Sequence, residues 1–337
     1  MYGSTVRIRH DLPFTGKIMN KQRINFLHIL EFLFAIPFVC ILPLFPRVLI
    51  VSLSKSLGKL CCLIKGRDYK ISMANLDLVF GDSKSHKEKK QITAASFSSF
   101  ILTVLDMIWF SFRTKKRIKK YVINQNALEA LTKQGAVTVT GHIGNWELLA
   151  KTGAMFCKQL VTIAAPSKNR YIDSLIAKLR TSEKLVMIPK SGALKQLLKA
   201  LKSDKTIAIA ADQNTLPRNG GMYLNFLGIP APITRAPFLL AKKTNKPIFV
   251  GYCIPTEKYK YKIYLSKPYY ITEGTPEEEV IKSIINELEK PILEHPEFWL
   301  WMYKKWKYIP KSIDESKYPF YAKRHNREKY FDTKDNM

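Results

Sequence analysis

The stretch of this 337-residue chain with the clearest chemical potential is Gly141–Glu147, which reads GHIGNWE. It places a histidine between two glycines and a glutamate five residues after the histidine, in a His-x4-Glu (HxxxxE) pattern. A carboxylate that accepts a hydrogen bond from one ring nitrogen fixes the histidine tautomer and leaves the other nitrogen as a base. We therefore predict that His142 is a general base and that Glu147 orients it.

The two side chains can meet only across a turn, because five residues along a continuous helix separate side chains by about 140°. The apolar run AVTVT at 136–140 predicts a strand before the turn, and the following pattern predicts a helix. The glycines permit the turn, and Asn145 is of a type favoured at helix N-caps. His142 would then lie at the carboxyl end of a strand, where open parallel sheets bind ligands. The alternative is an ordinary loop histidine.

Further candidate residues follow other predicted elements. Asp212 and Gln213 come directly after the run TIAIAA, at the end of another predicted strand, although an aspartate there is also common as a turn or cap residue. Thr234, in PITRAP, is predicted to cap the next helix, whose N-terminus would receive an anion. Backbone amides near Gly144 are predicted to hold an oxyanion. The glycines at 220–221 predict a mobile loop.

Alternating patterns outside the motifs predict the architecture. Short apolar runs lie at 136–140, 160–165, 206–211 and 247–253, and helical patterns lie at 145–157, 171–184, 192–203 and 235–244. This alternation predicts an α/β fold with a mostly parallel central sheet flanked by helices on both faces. The alternating segment 260–265 predicts an edge strand of a hairpin. Apolar spacing over 86–121 predicts one or two amphipathic helices, and Thr275–Glu278 predicts a capping box.

The charge balance indicates an anionic partner. Fifty-five basic residues against 27 acidic ones give a net charge of +28, which suits nucleic acid, an acidic membrane surface or an acidic protein. No helix-turn-helix, zinc finger or aromatic RNA-binding motif is present, so a membrane-tethered nucleic-acid-binding protein rests on charge alone. The five cysteines form no C-x-x-C pair, so neither a zinc site nor a disulfide framework is predicted.

The N-terminal region predicts membrane attachment. Basic residues precede an apolar stretch from Phe32 to Pro46, which is shorter than the ~20 residues of a spanning helix and is interrupted by prolines. Two arrangements fit: a tilted span with its basic end in the cytoplasm, or a kinked hairpin lying in one leaflet. We predict a basic N-terminus and membrane anchor over 1–54, an α/β domain over 55–310 and a polar C-terminal tail over 311–337.

Three stretches together carry a family resemblance. They are GHIGNWE, the block DQ…GG…NFLGIPAPIT from Asp212 to Thr234, and HPEFWLWMYKKWKYIP from His295 to Pro310. In order and spacing they resemble the bacterial lipid A biosynthesis acyltransferases of the lauroyl/myristoyl type, within the lysophospholipid acyltransferase superfamily. The likeness extends over nearly the whole chain and includes the segment NLDLVFGD.

The resemblance implies an acyltransferase fold at the bacterial inner membrane, with the catalytic domain on the cytoplasmic face. The enzyme would move a fatty acyl chain from acyl carrier protein to a hydroxyl of an anionic lipid A precursor, without a cofactor, metal or nucleic acid. His142 would be the base and Glu147 its partner. The predicted substrate-binding residues are Asn145, Arg180, Asp212, Gln213 and Thr234.

Two departures from the family pattern concern the acceptor. Ala164-Ala165-Pro166 stands where the family often has Tyr-Arg-Pro, and the glycine that the family has after the threonine block is missing from TRAP. A lysophospholipid or another glycolipid therefore stays open as the acceptor. An enzymatically inactive scaffold is a further alternative.

Overall fold

The fold is that of a computed structural model, which describes residues 26–131, 134–311 and 313–324. The predicted basic N-terminus up to residue 25 and the end of the predicted tail lie outside these residues. The α-helices in the described residues are α1 (Phe26–Ile41), α2 (Arg47–Ile64), α3 (Arg67–Phe80), α4 (His86–Trp109), α5 (Thr114–Tyr121), α6 (Trp146–Phe156), α7 (Arg170–Arg180), α8 (Ala193–Lys202), α9 (Ala236–Thr244) and α10 (Glu277–Glu294). The β-strands are β1 (Val122–Ile123), β2 (Val137–Thr140), β3 (Leu160–Ala164), β4 (Leu185–Pro189), β5 (Thr206–Ala210), β6 (Gly221–Phe226), β7 (Ile229–Thr234), β8 (Ile248–Pro255), β9 (Tyr261–Leu265), β10 (Tyr308–Ile309) and β11 (Lys323–Arg324).

The central sheet has seven strands in the order β1-β9-β8-β2-β5-β3-β4. Every pair is parallel except β8 with β9, so the predicted mostly parallel sheet is confirmed. Strand β2 lies between β8 and β5, with Val139 opposite Val250 on one side and Ile209 on the other. The carboxyl ends of β2 and β5 therefore lie side by side, and so do the residues that follow them.

Helices cover both faces of the sheet. Val137 and Val139 of β2 pack into an apolar cluster with side chains of α8, α9 and α10. Ala136, the residue before β2, belongs to a second cluster on the opposite face, which includes side chains of α2, α4 and α6. Side chains alternate between faces along an extended chain, so Ala136 and Val137 contribute to opposite cores.

The C-terminal aromatic segment is part of the core. Trp299, Trp301 and Trp306 are each no more than 1% exposed, and their rings pack against one another. Asn75 of α3, in the NLDLVFGD segment, donates from Nδ2 to the carbonyls of Trp301 (2.7 Å) and Tyr303 (2.9 Å). Two of the stretches that carry the family resemblance therefore fix each other.

Helix α4 begins with a complete capping box. The Ser85 hydroxyl accepts from the amide of Glu88, and the Glu88 carboxylate accepts from the amide of Ser85 at 2.7 Å. Helix α2 packs closely along α4 at Gly58. A Cβ at that position would lie 2.1 Å from Ser98 Oγ, so the close approach requires glycine. Of the one or two helices predicted over 86–121, the structure has two, α4 and α5.

The segment from α1 through α2 carries most of the exposed large apolar side chains in the described residues. Phe26, Leu33 and Phe34 of α1 are 68%, 55% and 79% exposed. In the described residues, two helices are long and apolar enough to cross a membrane: the segment Phe26–Leu44, which contains α1, and α4, which is mostly buried. The predicted domain boundary after residue 54 falls inside α2.

Four local predictions differ from the structure. The helix predicted at 171–184 is α7, which ends at Arg180, and the edge strand β4 that begins at Leu185 was not predicted. Segment 260–265 forms a hairpin with β8 but is not an edge strand, because β1 pairs with its other side. Pro276, not Thr275, is the N-cap of α10, so no capping box forms. Gly221 begins strand β6 of a hairpin with β7 and is not in a loop, while the predicted mobility stays a prediction.

Candidate active site

The turn between β2 and α6 has the predicted strand–turn–helix form. Gly144 adopts φ +59°, and a Cβ there would lie 2.2 Å from the carbonyl oxygen of Cys253, so only glycine fits. The amide of Gly144 donates to the carbonyl of Phe298 (2.8 Å), and the amide of Asn145 donates to that of Cys253 (2.7 Å). Strand β8 and the C-terminal aromatic segment therefore clamp the turn in place.

Those hydrogen bonds correct the predicted oxyanion site. The amides of Gly144 and Asn145 already have protein acceptors, and the amide of His142 donates to Asp212 Oδ2 at 2.7 Å. These amides are therefore not available to an oxyanion. The first amides of a helix have no acceptor within the helix. In α6 these are the amides of Trp146 and Glu147, which are the remaining backbone donors near the turn.

The carboxylate hydrogen-bonded to His142 is Asp212, and the expected hydrogen bond from Glu147 is not found among the described contacts. The catalytic roles of His142 and Glu147 stay predictions. His142 Nδ1 lies 2.9 Å from Asp212 Oδ1. Asp212 comes directly after β5, the parallel neighbour of β2, so the sheet brings the two residues together. Trp299 Nε1 also donates to Asp212 Oδ2, at 3.0 Å. Three donors thus hold a carboxylate that is 4% exposed at its side chain.

The charges of this pair shift both pKa values. Burial alone would lower the pKa of His142, but the Asp212 carboxylate outweighs it and raises the pKa above the ordinary 6.5. Burial alone would raise the pKa of Asp212, but His142 and Trp299 outweigh it and lower the pKa. A carboxylate at this position favours the His142 tautomer with its proton on Nδ1, and the role of His142 as a base stays a prediction.

The second ring nitrogen of His142, Nε2, lies within hydrogen-bond distance of a side-chain amide. The side chain is 19% exposed, and Gln213 Nε2 lies 3.3 Å from His142 Nε2. The ring edge of His142 packs on Trp146, with ring centroids 4.9 Å apart. Proton removal from a hydroxyl requires a base within hydrogen-bond reach, so a substrate hydroxyl would have to replace the Gln213 amide at Nε2.

Glu147 has a different partner, Arg180. Arg180 Nη2 lies 2.5 Å from Glu147 Oε1, and the two side chains are 27% and 13% exposed. The Glu147 charge contributes to the raised pKa of His142, although the main contribution comes from Asp212, and the Arg180 charge opposes it. Glu147 therefore lies close enough to act on His142 through charge, without a hydrogen bond to it among the described contacts.

Asn145 is confirmed as the N-cap of α6. Its Oδ1 accepts from the amide of Leu148 at 2.9 Å, and its Nδ2 donates to Asp106 Oδ2 at 2.9 Å. The side chain is 1% exposed. Substrate binding by Asn145 stays a prediction, and in this structure both ends of its amide serve the fold.

Asp106 anchors a buried charged network that the sequence interpretation missed. It forms a bidentate ion pair with Arg47 and accepts hydrogen bonds from Tyr261 and Asn145. Asp106 and Arg47 are 1% and 5% exposed. A lone carboxylate within the apolar pattern SFILTVLDMIWF was the available signal, because an unpaired buried charge is costly. The network ties α2, α4 and β9 to the cap of α6.

Lys305 is a second residue that the sequence interpretation missed. It is fully buried, and its Nζ lies 4.7 Å from the centre of the Phe226 ring. No hydrogen-bond acceptor for this Nζ is found in the described part of the chain. Burial lowers the pKa of Lys305 to about 7, against the opposing charges of Asp212 and Glu289.

Thr234 lies at the start of α9, one residue earlier than a cap. Arg235 occupies the N-cap position, while Thr234 Oγ1 accepts from the amide of Ala236 at 3.2 Å. Arg235 forms a bidentate pair with Glu277, at 2.6 and 2.8 Å. The predicted capping position is therefore wrong by one residue. Anion binding there stays a prediction, as do the substrate-binding roles of Arg180, Asp212 and Gln213.

Comparison with known proteins identifies related chains. The family described as bacterial lipid A biosynthesis acyltransferase matches residues 19–308. The lipid A biosynthesis lauroyltransferase of Escherichia coli (strain K12) is 26% identical over 277 residues, covering 80% of this chain and 88% of that one. The lipid A biosynthesis palmitoleoyltransferase of the same strain is 21% identical over 273 residues, covering 79% and 87%. The crystal structure of the 1-acyl-sn-glycerophosphate acyltransferase PlsC from Thermotoga maritima aligns with a TM-score of 0.37 and 15% identity, covering 74% of this chain and 97% of that one.

Proposed function

Because the chain belongs to the bacterial lipid A biosynthesis acyltransferase family, we propose that it moves a fatty acyl chain from an acyl carrier protein thioester to a hydroxyl of a lipid A precursor. Acyl transfer in lipid A biosynthesis is the activity of the family. The donor, the acceptor hydroxyl and the roles of individual residues are our proposal. The observation that carries it is the pairing of His142 Nδ1 with Asp212, on a histidine side chain that is 19% exposed.

In the proposed mechanism, His142 Nε2 removes the proton from the acceptor hydroxyl as the oxygen attacks the thioester carbonyl. Asp212 stabilises the imidazolium that forms, because its carboxylate already accepts the Nδ1 proton. The tetrahedral intermediate then collapses, the carbon–sulfur bond breaks, and the imidazolium returns the proton to the leaving thiolate. The products are the acylated lipid and the free thiol of the carrier protein.

Gln213 and the ion pair of Glu147 with Arg180 are the groups near His142 to which we assign roles. We propose that the Gln213 amide, 3.3 Å from His142 Nε2, donates to the acceptor oxygen or to the developing oxyanion. The pair of Glu147 and Arg180 sets the local charge, since both charges act on the pKa of His142. Neither role needs a metal or a cofactor.

Charge supports the proposed partners. Acyl carrier proteins are acidic and lipid A precursors carry phosphates, so both suit a chain of net charge +28. Helix α5 presents exposed lysines beside a buried Ile118, which gives a basic surface for an acidic partner. The exposed apolar side chains of α1 suit attachment to the inner membrane, and we propose that the catalytic domain faces the cytoplasm.

The test is transfer by the purified full chain, with acyl carrier proteins of several acyl lengths and a defined lipid A precursor as acceptor. We expect transfer by the wild-type protein and a loss of at least about 10²-fold in His142→Ala. A lysophospholipid offered in parallel tests the alternative acceptor. Full activity in His142→Ala refutes the assignment of the base, and transfer to the lysophospholipid alone refutes the proposed acceptor.

A further inference from the structure

A cavity lies between α2, α4 and the connection from β8 to β9. Its volume is about 600 Å³, within the range of small-molecule and cofactor sites. Its apolar wall includes Val51, Leu102 and Phe298. The residues that contact His142 are not part of the lining of this cavity. The cavity is therefore separate from the candidate active site.

The rim of the cavity is strongly basic. Lys55 and Lys59 of α2 and Lys258 and Lys260 of the β8–β9 connection line it, whereas Glu257 is the one acidic residue of the lining. No ion pair is found for any of the four lysines within the residues that the structure describes. The cavity thus combines unneutralised cations at its mouth with an apolar wall inside.

The backbone of the β8–β9 connection is held in an unfavourable conformation at this rim. Lys258 and Tyr259 have φ values of +55° and +60°, which non-glycine residues seldom adopt and which cost free energy at each position. Arg47 Nε lies 3.4 Å from the carbonyl oxygen of Tyr259, and Asp106 fixes Arg47 from behind. This conformation keeps Lys258 at the mouth of the cavity.

The position of the cavity beside exposed apolar surface indicates where its ligand comes from. On α2, Lys55 and Lys59 lie one turn apart along the flank of the cavity. The adjacent face of the same helix presents Leu49, Leu60 and Leu63, which are 50%, 52% and 75% exposed, and Leu63 lies one turn beyond Lys59. A bilayer in contact with that face would place lipid headgroups beside the lysines.

We propose that this cavity binds an anionic phospholipid from the bilayer, with its phosphate at the four lysines and an acyl chain along the wall formed by Val51, Leu102 and Phe298. The proposal rests on the membrane attachment proposed above, and it is independent of the reaction at His142. Phosphate recognition by lysines and burial of an acyl chain against apolar side chains are complementary to the rim and the wall.

The test is lipid binding by the purified full chain in an uncharged detergent, measured by native mass spectrometry with phosphatidylglycerol and phosphatidylcholine. We expect one phosphatidylglycerol to be retained, at least about tenfold more tightly than phosphatidylcholine. Lys55→Glu/Lys59→Glu should weaken retention by about tenfold or more, and Ala95→Trp should abolish it by filling the cavity. Both lysines are exposed, so the double variant is expected to fold.

Lys115→Glu/Lys119→Glu is the matched control, because it makes the same charge change at the same spacing on α5, outside the cavity. It should bind phosphatidylglycerol as the wild type does. Equal retention of phosphatidylcholine, displacement by inorganic phosphate or by the lipid A precursor, or equal weakening in the control each overturns the proposal. His142→Ala should keep the lipid and lose acyl transfer, so failure of either idea is distinguishable from failure of the other.

Discussion

Two carboxylates flank His142, and they act on it in different ways. Asp212 hydrogen-bonds the ring at Nδ1 and the backbone at the amide, and its side chain is 4% exposed. Glu147 is closer in sequence but bonds to Arg180 instead, and it influences His142 only through its charge. The carboxylate that hydrogen-bonds His142 thus comes from the neighbouring strand of the sheet. Glu147, the nearer residue in sequence, acts on His142 through its charge.

The difference follows from where each carboxylate is anchored. Asp212 leaves the end of β5 beside the end of β2, so its position relative to His142 is fixed by parallel strand pairing. Glu147 stands in the first turn of α6 and points toward α7, where Arg180 lies in the last turn. A carboxylate in the first helical turn is also favoured by the helix dipole, independently of catalysis.

Asp212→Asn should reduce activity far more than a substitution of Glu147 or Lys305. An amide nitrogen in place of Oδ1 would face His142 Nδ1 and favour the tautomer whose proton is on Nε2, which cannot act as a base. We expect a drop in kcat of about 10³-fold. Steady-state kinetics with the acyl carrier protein donor measures it.

His142→Ala provides the control for that substitution. Because the two residues act as a unit, the double variant His142→Ala/Asp212→Asn should lose no more activity than His142→Ala alone. Thermal unfolding and circular dichroism should show that each variant keeps its fold. Additive losses in the double variant would show that Asp212 works independently of His142 and would break the comparison.

Glu147→Gln should cost much less, about tenfold in kcat/KM. The amide keeps the shape of the side chain while removing the charge that pairs with Arg180 and supports protonation of His142. In a double-mutant cycle with Arg180→Met, the two losses should be less than additive, because both substitutions break one interaction. A loss in Glu147→Gln as large as that in Asp212→Asn would restore Glu147 as the orienting residue.

The sequence allowed much of this site to be predicted, for identifiable reasons. The run AVTVT, the glycines of the turn and the N-cap preference of Asn145 are local signals, and the structure confirms the strand, the turn and the cap. The partner of His142 was not predictable in the same way, because it depends on which strand lies beside β2. Spacing along the chain favoured Glu147, whereas strand order, a long-range property, selects Asp212.

The same contrast explains the residues that were missed. Asp106 and Arg47 are 59 positions apart and meet only because α2 packs along α4. Strand β4 is an edge strand with a short apolar run, which periodicity alone does not separate from the end of a helix. Local chemistry was therefore readable from the sequence, and pairings between distant elements were not.

The pH dependence of activity should separate the two carboxylates further. His142 must be neutral at Nε2 to accept a proton, so kcat/KM should rise with pH through the pKa of His142 in the free enzyme. Burial opposes protonation but the Asp212 carboxylate outweighs it, so the inflection should lie above 6.5. It should move to lower pH in Asp212→Asn and by less in Glu147→Gln. An inflection at the same pH in Asp212→Asn and the wild type would contradict the assignment.

Lys305→Met should have the smallest effect on activity and a larger one on the pH dependence of stability. Lys305 touches no reacting group, and burial lowers its pKa to about 7, so much of it is neutral above that pH. We expect kcat above about pH 8 to change by less than about twofold, because an uncharged lysine adds little to the charge of Asp212.

Stability gives the sharper readout for Lys305. In the unfolded chain a lysine keeps its proton up to about pH 10.4, whereas folded Lys305 loses it near 7, so between these values the unfolded state binds more protons. The free energy of unfolding of the wild type should therefore rise with pH over this window, relative to Lys305→Met, and the variant should be the more stable form at about pH 6. Chemical denaturation at about pH 6 and about pH 9 measures the free energy of unfolding of the wild type and of Lys305→Met. Lys304→Met is the control at the neighbouring position. Parallel pH profiles for Lys305→Met and the wild type would mean that Lys305 keeps an ordinary pKa, and that Asp212 has a permanent cation beside it in addition to His142.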